Sequence, residues 1–322
     1  KTAAFALPVI HRLMENHRKN SGIRALILSP TRELALQIDE SFGVYAKHTP
    51  LKHTVVFGGV SQNGQLNALR KNPEILTATP GRLLDLISQG FIRLDKIECF
   101  VLDEADRMLD MGFINDVKRI TRLLPGKRQT LLFSATMPSE IRKLADQLLS
   151  HAVFVEVAQK GATVDAIEQH LYFTPKKEKT ITLLRLIQEQ NIHNALVFTR
   201  TKHGADKVVR FLHKASVRAA AIHGNKSQNA RQTALNDFKT GKVDILVATD
   251  IASRGIDIDE LSHVFNYDLP NIPETYVHRI GRTGRAGLGG TAIAFCDEEE
   301  KNDLRRIEKL ISRRIPVSRL AS

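Results

Sequence analysis

The sequence predicts an α/β protein built twice over, each copy a parallel sheet covered by helices on both faces. Three observations carry this. Short β-branched runs alternate with amphipathic helical patterns along all 322 residues, the rhythm of strand–helix–strand units. The rhythm pauses once, at 158–166 (AQKGATVDA), where small residues and a glycine replace any apolar period; this reads as a linker between residues 1–157 and 167–322. The two sides also echo each other: ALILSPTRELALQI (25–38) resembles ALVFTRTKHGADKV (195–208), and EILTATPGR (74–82) resembles DILVATDIASR (244–254). Each is a strand ending in a hydroxyl residue before a polar turn, as two copies of one fold would give.

Taken in order, the predicted strands of the first half are Ala25–Ser29, Thr54–Phe57, Ile75–Thr79, Cys99–Asp103, Thr130–Ser134 and Val153–Val157. Among the helical segments between them are Arg32–Lys47, Arg82–Ser88 and Glu140–Leu149, the last opened by Pro138 with Ser139 as its expected cap. After the linker come strand His170–Phe173, helix Thr180–Glu189, strand Ala195–Thr199 and helix Ala205–Lys214. Strands Arg218–Ile222, Asp244–Ala248, His263–Tyr267 and Thr291–Phe295 follow, and a helix over Glu299–Ser312 closes the pattern. In such sheets ligands bind beyond the carboxyl ends of the strands, which is where the polar turns fall.

Composition excludes whole classes. Hydrophobic residues make up 42% and charged residues 25%, which is globular and neither disordered nor collagen-like. The longest apolar runs, such as Ala25–Leu28, fall far short of the ~20 residues that span a bilayer. Two cysteines far apart in apolar runs make neither a zinc site nor a disulfide framework, and read as buried thiols of a reducing, cytoplasmic protein. No signal peptide is visible. With 47 Lys and Arg against 35 Asp and Glu the net charge is +12, shared as +5 on 1–157 and +7 on 158–322. A basic surplus on both halves suggests a polyanionic partner spanning both. With no Trp and 6% aromatic residues, contacts to a nucleic-acid backbone outweigh base stacking.

The sharpest chemical signal is FVLDEAD (100–106). Asp103 and Glu104 follow a buried strand, where a nucleotide's Mg²⁺ is held and a water is oriented. A plain polar strand end, with Asp106 capping the next helix, explains the same letters. In HRIGRTGR (278–285), Arg279, Arg282 and Arg285 sit among Gly281 and Gly284. Glycines let guanidinium groups converge on a phosphate, and a solvated basic loop is the rival. Weaker turns recur at the other strand ends. They are SPTRELA (29–35) with Thr31 and Arg32, the Gly58-Gly59 pair, TPGR (79–82), SAT (134–136), and ATDIASRGID (248–257) with Thr249, Asp250, Arg254 and Asp257. Singly each reads as a cap or turn; in ordered series at strand ends they read as a site.

The ordered set SPTRELA, GG, TPGR, DEAD, SAT, LVFTRTK, HGNKSQNAR, ATDIASRGID and HRIGRTGR resembles the DEAD-box RNA helicases over nearly the whole chain, and LISRRIPV (310–317) most resembles the bacterial RhlE-type group. The resemblance implies two tandem RecA-like domains, ATP and Mg²⁺ as cofactors, and RNA, with little sequence preference, as partner. It implies that Asp103 holds Mg²⁺ and Glu104 positions the hydrolytic water. Arg282 and Arg285 would reach ATP from the second domain, and Asp257 its ribose. Ser134, Thr136, Asp106 and His278 would couple the domains. Arg32, Gly59, Thr79, Gly81 and Arg82 would grip RNA on the first domain, joined by Thr199, Gly224, Gln228, Arg231 and Thr249 on the second. Lys1 would be the phosphate-binding lysine and Thr2 a Mg²⁺ ligand.

One departure stands out. The family's phosphate loop reads A-x-x-G-x-G-K-T, and only its last two residues, Lys1 and Thr2, are among these 322. Lys1 is therefore expected to be mobile and the chain to hydrolyse ATP poorly, which keeps an ATPase-deficient RNA-binding fragment as the alternative to an RNA helicase core. A DNA helicase of the same superfamily is a third reading.

Overall fold

A computed structural model describes residues 1–15, 22–156, 167–250, 261–284 and 289–319. The chain divides into two compact units, Lys1–Val155 and Glu156–Ser322. The expected linker, 158–166, lies outside the described residues.

In the first unit the strands are β1 (Ala25–Leu28), β2 (His53–Val56), β3 (Ile75–Ala78), β4 (Cys99–Leu102) and β5 (Gln129–Leu132). They form one parallel sheet in the order β2-β3-β1-β4-β5. β1, β3 and β4 are buried throughout, the signature of strands covered on both faces. Alternation assigns the faces. Leu26 and Leu28 pack with α4 (Pro80–Ser88), α5 (Ala105–Asp110), α6 (Ile114–Thr121) and α7 (Ser139–Leu148), whereas Ala25 and Ile27 pack under α1 (Thr2–Glu15) and α2 (Arg32–Tyr45). α3 (Asn63–Leu69) lies between β2 and β3 in the chain.

The second unit carries six parallel strands: β6 (Ile167–Phe173), β7 (Ala195–Phe198), β8 (Ala219–Ile222), β9 (Ile245–Ala248), β10 (His263–Asn266) and β11 (Gly290–Cys296). Their order is β6-β11-β10-β7-β9-β8. Helices α8 (Lys179–Glu189) and α9 (Lys202–Lys214) cover one face. The other is covered by α10 (Gln228–Lys239), α11 (Pro273–Ile280) and α12 (Lys301–Leu310).

Read from β8 toward β11, the second sheet repeats the first strand for strand, with β6 added. The echoed segments fall at matching places. Ser29 N–H donates to the Ala78 carbonyl as Thr199 N–H does to Ala248, both at 3.0 Å. Thr31 caps α2 by accepting from Leu34 N–H as Thr201 caps α9 by accepting from Gly204 N–H.

Three expectations are corrected. Residues 153–156 form no strand, and Val153, Phe154 and Val155 are 88%, 62% and 78% exposed. β-branched residues favour extended backbone, but a strand also needs a ladder partner. Among the described residues β5 pairs with β4 alone, and it stands half-exposed at the end of the sheet. Ser139 is not a cap: Pro138 holds that position, and the Ser139 hydroxyl donates instead to Glu140 Oε2 at 3.0 Å. The helix expected over Glu299–Ser312 is split, with a 3₁₀ turn at Glu298–Glu300 capped by Asp297 ahead of α12.

Candidate functional site

Because every strand of each sheet runs the same way, all carboxyl ends open on one edge. In the first unit that edge gathers most of the expected residues. Asp103 follows β4, is 1% exposed, and receives the Lys1 ammonium at 2.8 Å. Lys1, expected to be mobile, is placed within ion-pair distance of that carboxylate. The cause is α1, whose Phe5, Ala6, Val9, Ile10 and Leu13 are buried in the core and fix the helix that starts at Thr2. Burial raises the Asp103 carboxyl above its ordinary range, and Lys1 opposes that rise. A buried carboxylate that draws a cation suits a second, divalent one, and the hard oxygens of Asp103 and Thr2 suit Mg²⁺.

Glu104 adopts a left-handed backbone, φ 54° and ψ 54°, a conformation that costs a non-glycine residue about 1 kcal/mol or more and is concentrated at functional sites. Its N–H donates to Asp103 Oδ1 at 3.0 Å. Its carboxylate lies 3.9 Å from Lys1 Nζ and accepts from Arg107 Nη1 at 2.7 Å.

Asp106, Ser134 and Thr136 come together in one knot. Ser134 Oγ accepts from Asp106 N–H at 3.1 Å and donates to the Thr136 carbonyl at 2.7 Å. Asp106 Oδ2 accepts from Thr136 N–H and hydroxyl at 2.9 and 3.0 Å. Asp106 is not the cap expected of it: it lies inside α5, which follows Glu104, and its carboxylate holds Thr136. It ties the end of β4 to the turn after β5.

The turns after β1, β2 and β3 form a second group. Gly59 has φ +79°, and the Arg32 guanidinium occupies the space a Cβ would fill; only glycine serves there. Arg82 Nη2 donates to the Val60 carbonyl at 3.1 Å, while its Nη1 is buried without a partner. Thr79 precedes α4 with Pro80 at the first helical position, and Gly81 leaves open space over that N-terminus, an arrangement suited to an anion. Gln65 holds Phe57 by both its N–H and its carbonyl, each at 3.1 Å.

In the second unit Thr199 is fully buried at the end of β7 and donates to the Thr201 carbonyl at 3.2 Å. Gly224 follows β8 with nothing near its α-carbon face. Gln228 and Arg231 lie in the first turns of α10, which Ser227 caps, and Thr249 follows β9, its N–H on the Ile222 carbonyl at 3.3 Å. His278 lies in the last turn of α11 and Arg282 just beyond it. Asp257 and Arg285, like Arg254, lie outside the described residues.

One expectation is overturned here. Arg279, expected to converge on a phosphate, is turned into the second unit instead. It is 2% exposed and grips Asp250 with two 2.7 Å bonds, Asn266 Oδ1 at 2.9 Å and the Asp268 carbonyl at 2.7 Å, stacked 4.8 Å from the Phe198 ring. Four of the five donors of its rigid fork are spent on framework.

Sequence reasoning also missed the buried ammonium of Lys179. Glu300, Asp297 and Asp268 surround it at 2.6, 3.3 and 3.5 Å, and Arg200 bridges Asp268, Leu269, Glu300 and Asp303. Burial alone would lower the Lys179 ammonium, but its carboxylate partners outweigh burial and raise it. The available signal was spacing: Lys179 lies four and seven residues before Leu183 and Leu186, on the buried stripe of α8.

Comparison with known proteins decides the family. Residues 1–144 match the DEAD/DEAH box helicase family, and residues 176–287 match the helicase conserved C-terminal domain. The chain belongs to the DEAD-box helicases. It is 44% identical over 315 residues to the ATP-dependent RNA helicase CshA of Listeria monocytogenes, and 44% identical over 317 residues to the DEAD-box ATP-dependent RNA helicase RhpA of Helicobacter pylori. Each match covers 98% of this chain, which spans 60% and 64% of those two proteins. S. cerevisiae Dbp5 bound to RNA and ADP BeF3 is similar in structure, with a TM-score of 0.85 and 34% identity over 98% of this chain and 82% of that one. The two units are therefore the tandem RecA-like domains of a DEAD-box protein, and neither bacterial relative supports the finer RhlE-type assignment.

Proposed function

We propose that this DEAD-box chain is the core of an RNA-stimulated ATPase that locally separates RNA duplexes. The observation that carries the reading is the Lys1 ammonium held 2.8 Å from buried Asp103, with Glu104 beside it at the strand-end edge. In this reading Asp103 and Thr2 would hold Mg²⁺, which would neutralise phosphate charge. Lys1 faces the phosphates. Glu104 accepts a proton from water as that water's oxygen bonds to the γ-phosphorus and the bond to the β–γ bridging oxygen breaks, releasing ADP and phosphate. Arg282 and Arg285 supply guanidinium groups to the transferred phosphoryl, and Asp257 takes the ribose. Arg32, Gly59, Thr79, Gly81 and Arg82, with Thr199, Gly224, Gln228, Arg231 and Thr249, hold the RNA backbone. The Asp106–Ser134–Thr136 knot and His278 transmit the nucleotide state between the domains, which residues 158–166 link.

Dbp5 carrying RNA together with a nucleotide analogue supports this substrate pair, as does the basic surplus on both halves. The ATPase-deficient alternative is not favoured, because both helicase families match this chain and its relatives are ATP-dependent RNA helicases. Two buried free cysteines, with burial pushing the Cys296 thiol up to about 12, fit a reducing cytoplasm. Among the described residues no helix is long and apolar enough to cross a membrane. The test is ATP turnover by the purified gene product with and without single-stranded RNA. Turnover that RNA does not stimulate refutes the reading, and equal stimulation by single-stranded DNA replaces RNA with DNA as partner.

A further inference from the structure

We propose that Arg107 is a positioning residue for Glu104, fixing one oxygen of that carboxylate so that the other faces the hydrolytic water. The inference rests on the role given to Glu104 above and adds a residue to it. Three observations support it. Arg107 Nη1 donates to Glu104 Oε2 at 2.7 Å, while among the described residues the cation beside Oε1 is Lys1 Nζ, at 3.9 Å. One oxygen is gripped and the other is left toward the phosphate-binding lysine.

The pair is also sheltered. The two side chains are 13% and 18% exposed, so the contact is less screened than an ordinary surface ion pair spaced three residues apart on a helix. Finally, Arg107 is itself anchored to the site. Its N–H donates to Asp106 Oδ1 at 3.1 Å, and the other oxygen of Asp106 holds Thr136. Arg107 therefore relays the position of the turn after β5 to the carboxylate of Glu104.

A glutamate has three rotatable side-chain bonds, and its left-handed backbone fixes none of them. Without a donor on Oε2 the carboxylate samples orientations in which neither oxygen meets the water. Misplacement of a reacting group by about 1 Å can cost on the order of a hundredfold in rate, and a reacting group needs its supporting contacts to stay within that tolerance.

The experiment measures RNA-stimulated ATP turnover, including single-turnover hydrolysis, in four variants of the gene product: Arg107→Met, Arg107→Lys, Glu104→Gln and Glu104→Gln/Arg107→Met. Arg107→Met is expected to lower kcat about tenfold to a hundredfold while the ATP KM and the RNA Kd stay within about twofold. Arg107→Lys should recover part of the loss. In the Glu104→Gln background, Arg107→Met should cost nothing more, because its route of action is already gone.

A kcat within about twofold of the parent in Arg107→Met, alongside an inactive Glu104→Gln, overturns the proposal and leaves Glu104 standing. The same fractional loss in both backgrounds overturns it too, since Arg107 then acts elsewhere. Should Arg107→Met fold poorly by its melting temperature, Arg107→Lys decides: a loss confined to kcat supports positioning, and unchanged kcat overturns it. Active Glu104→Gln removes the role of Glu104 and this proposal with it.

Discussion

Replacing Arg279 by Met should destabilise the second unit while leaving the first intact. Met keeps much of the stem volume but donates nothing. The change strips a donor from the Asp268 carbonyl, from both oxygens of Asp250 and from Asn266 Oδ1. Asn266 is fully buried, and its Nδ2 already lacks a partner, so its whole amide would be orphaned. Removing one partner of a buried charge pair costs about 3–5 kcal/mol. Asp250 is 28% exposed and can recover some hydration, so the lower end, about 3 kcal/mol, applies. At about 2–4 °C per kcal/mol for a domain of this size, the melting temperature should fall by roughly 6–12 °C.

The composition supplies the assay. There is no Trp, and of four tyrosines three, Tyr172, Tyr267 and Tyr276, lie in the second unit. Tyrosine fluorescence therefore follows that unit and far-UV circular dichroism follows both. Arg279→Lys should recover less than half of the loss, because one ammonium cannot span acceptors that a planar fork reaches at once. A fluorescence-detected shift below about 2 °C, where roughly 1 kcal/mol would already give 2–4 °C, refutes the reasoning.

Further outcomes follow from the proposed function and from the first unit. Arg285→Ala should slow hydrolysis by about a thousandfold if it acts as an arginine finger and leave nucleotide affinity nearly intact; an unchanged turnover rate removes Arg285 from the chemistry. RNA should be preferred over DNA of the same sequence, with affinity falling steeply as salt rises, because phosphate contacts release counterions and the 2′-hydroxyl separates the two polymers. A flat salt response measured by fluorescence anisotropy contradicts a backbone-binding surface. His53 hydrogen-bonds Asp39 at 2.7 Å, which raises the imidazole above its ordinary pKa. A raised folded-state pKa stabilises the first unit below the ordinary imidazole value, and that stability is lost as pH climbs through the raised one. Asp39→Asn should therefore flatten the change in urea midpoint between pH 6 and 9, and equal slopes in the two proteins reject the linkage.

Much of the architecture was legible because parallel strands are punctuated so clearly. ALIL, ILTA and CFVL are too apolar for anything but a doubly covered strand, and each ends in a hydroxyl or an acid that marks the edge. The repeat between residues 25–38 and 195–208 was visible because the same turn, a buried hydroxyl two residues before a capping Thr, was used twice. What stayed hidden depended on partners far apart in the chain. Arg279 reads as one more arginine in a basic loop until Asn266 and Asp250 close around it. Lys179 meets Glu300 only through the fold, across 121 residues. The run VFVEV (153–157) reads as a strand by its letters alone, but residues 153–156 form none.

Strand β5 has a bearing on how far the first sheet can reach. Thr130, Leu131 and Leu132 are each partly exposed, and among the described residues no strand pairs with β5 on the side away from β4. A half-apolar edge of that kind is a template onto which another extended segment can be laid, so the sheet of the first unit has room to be extended past β5.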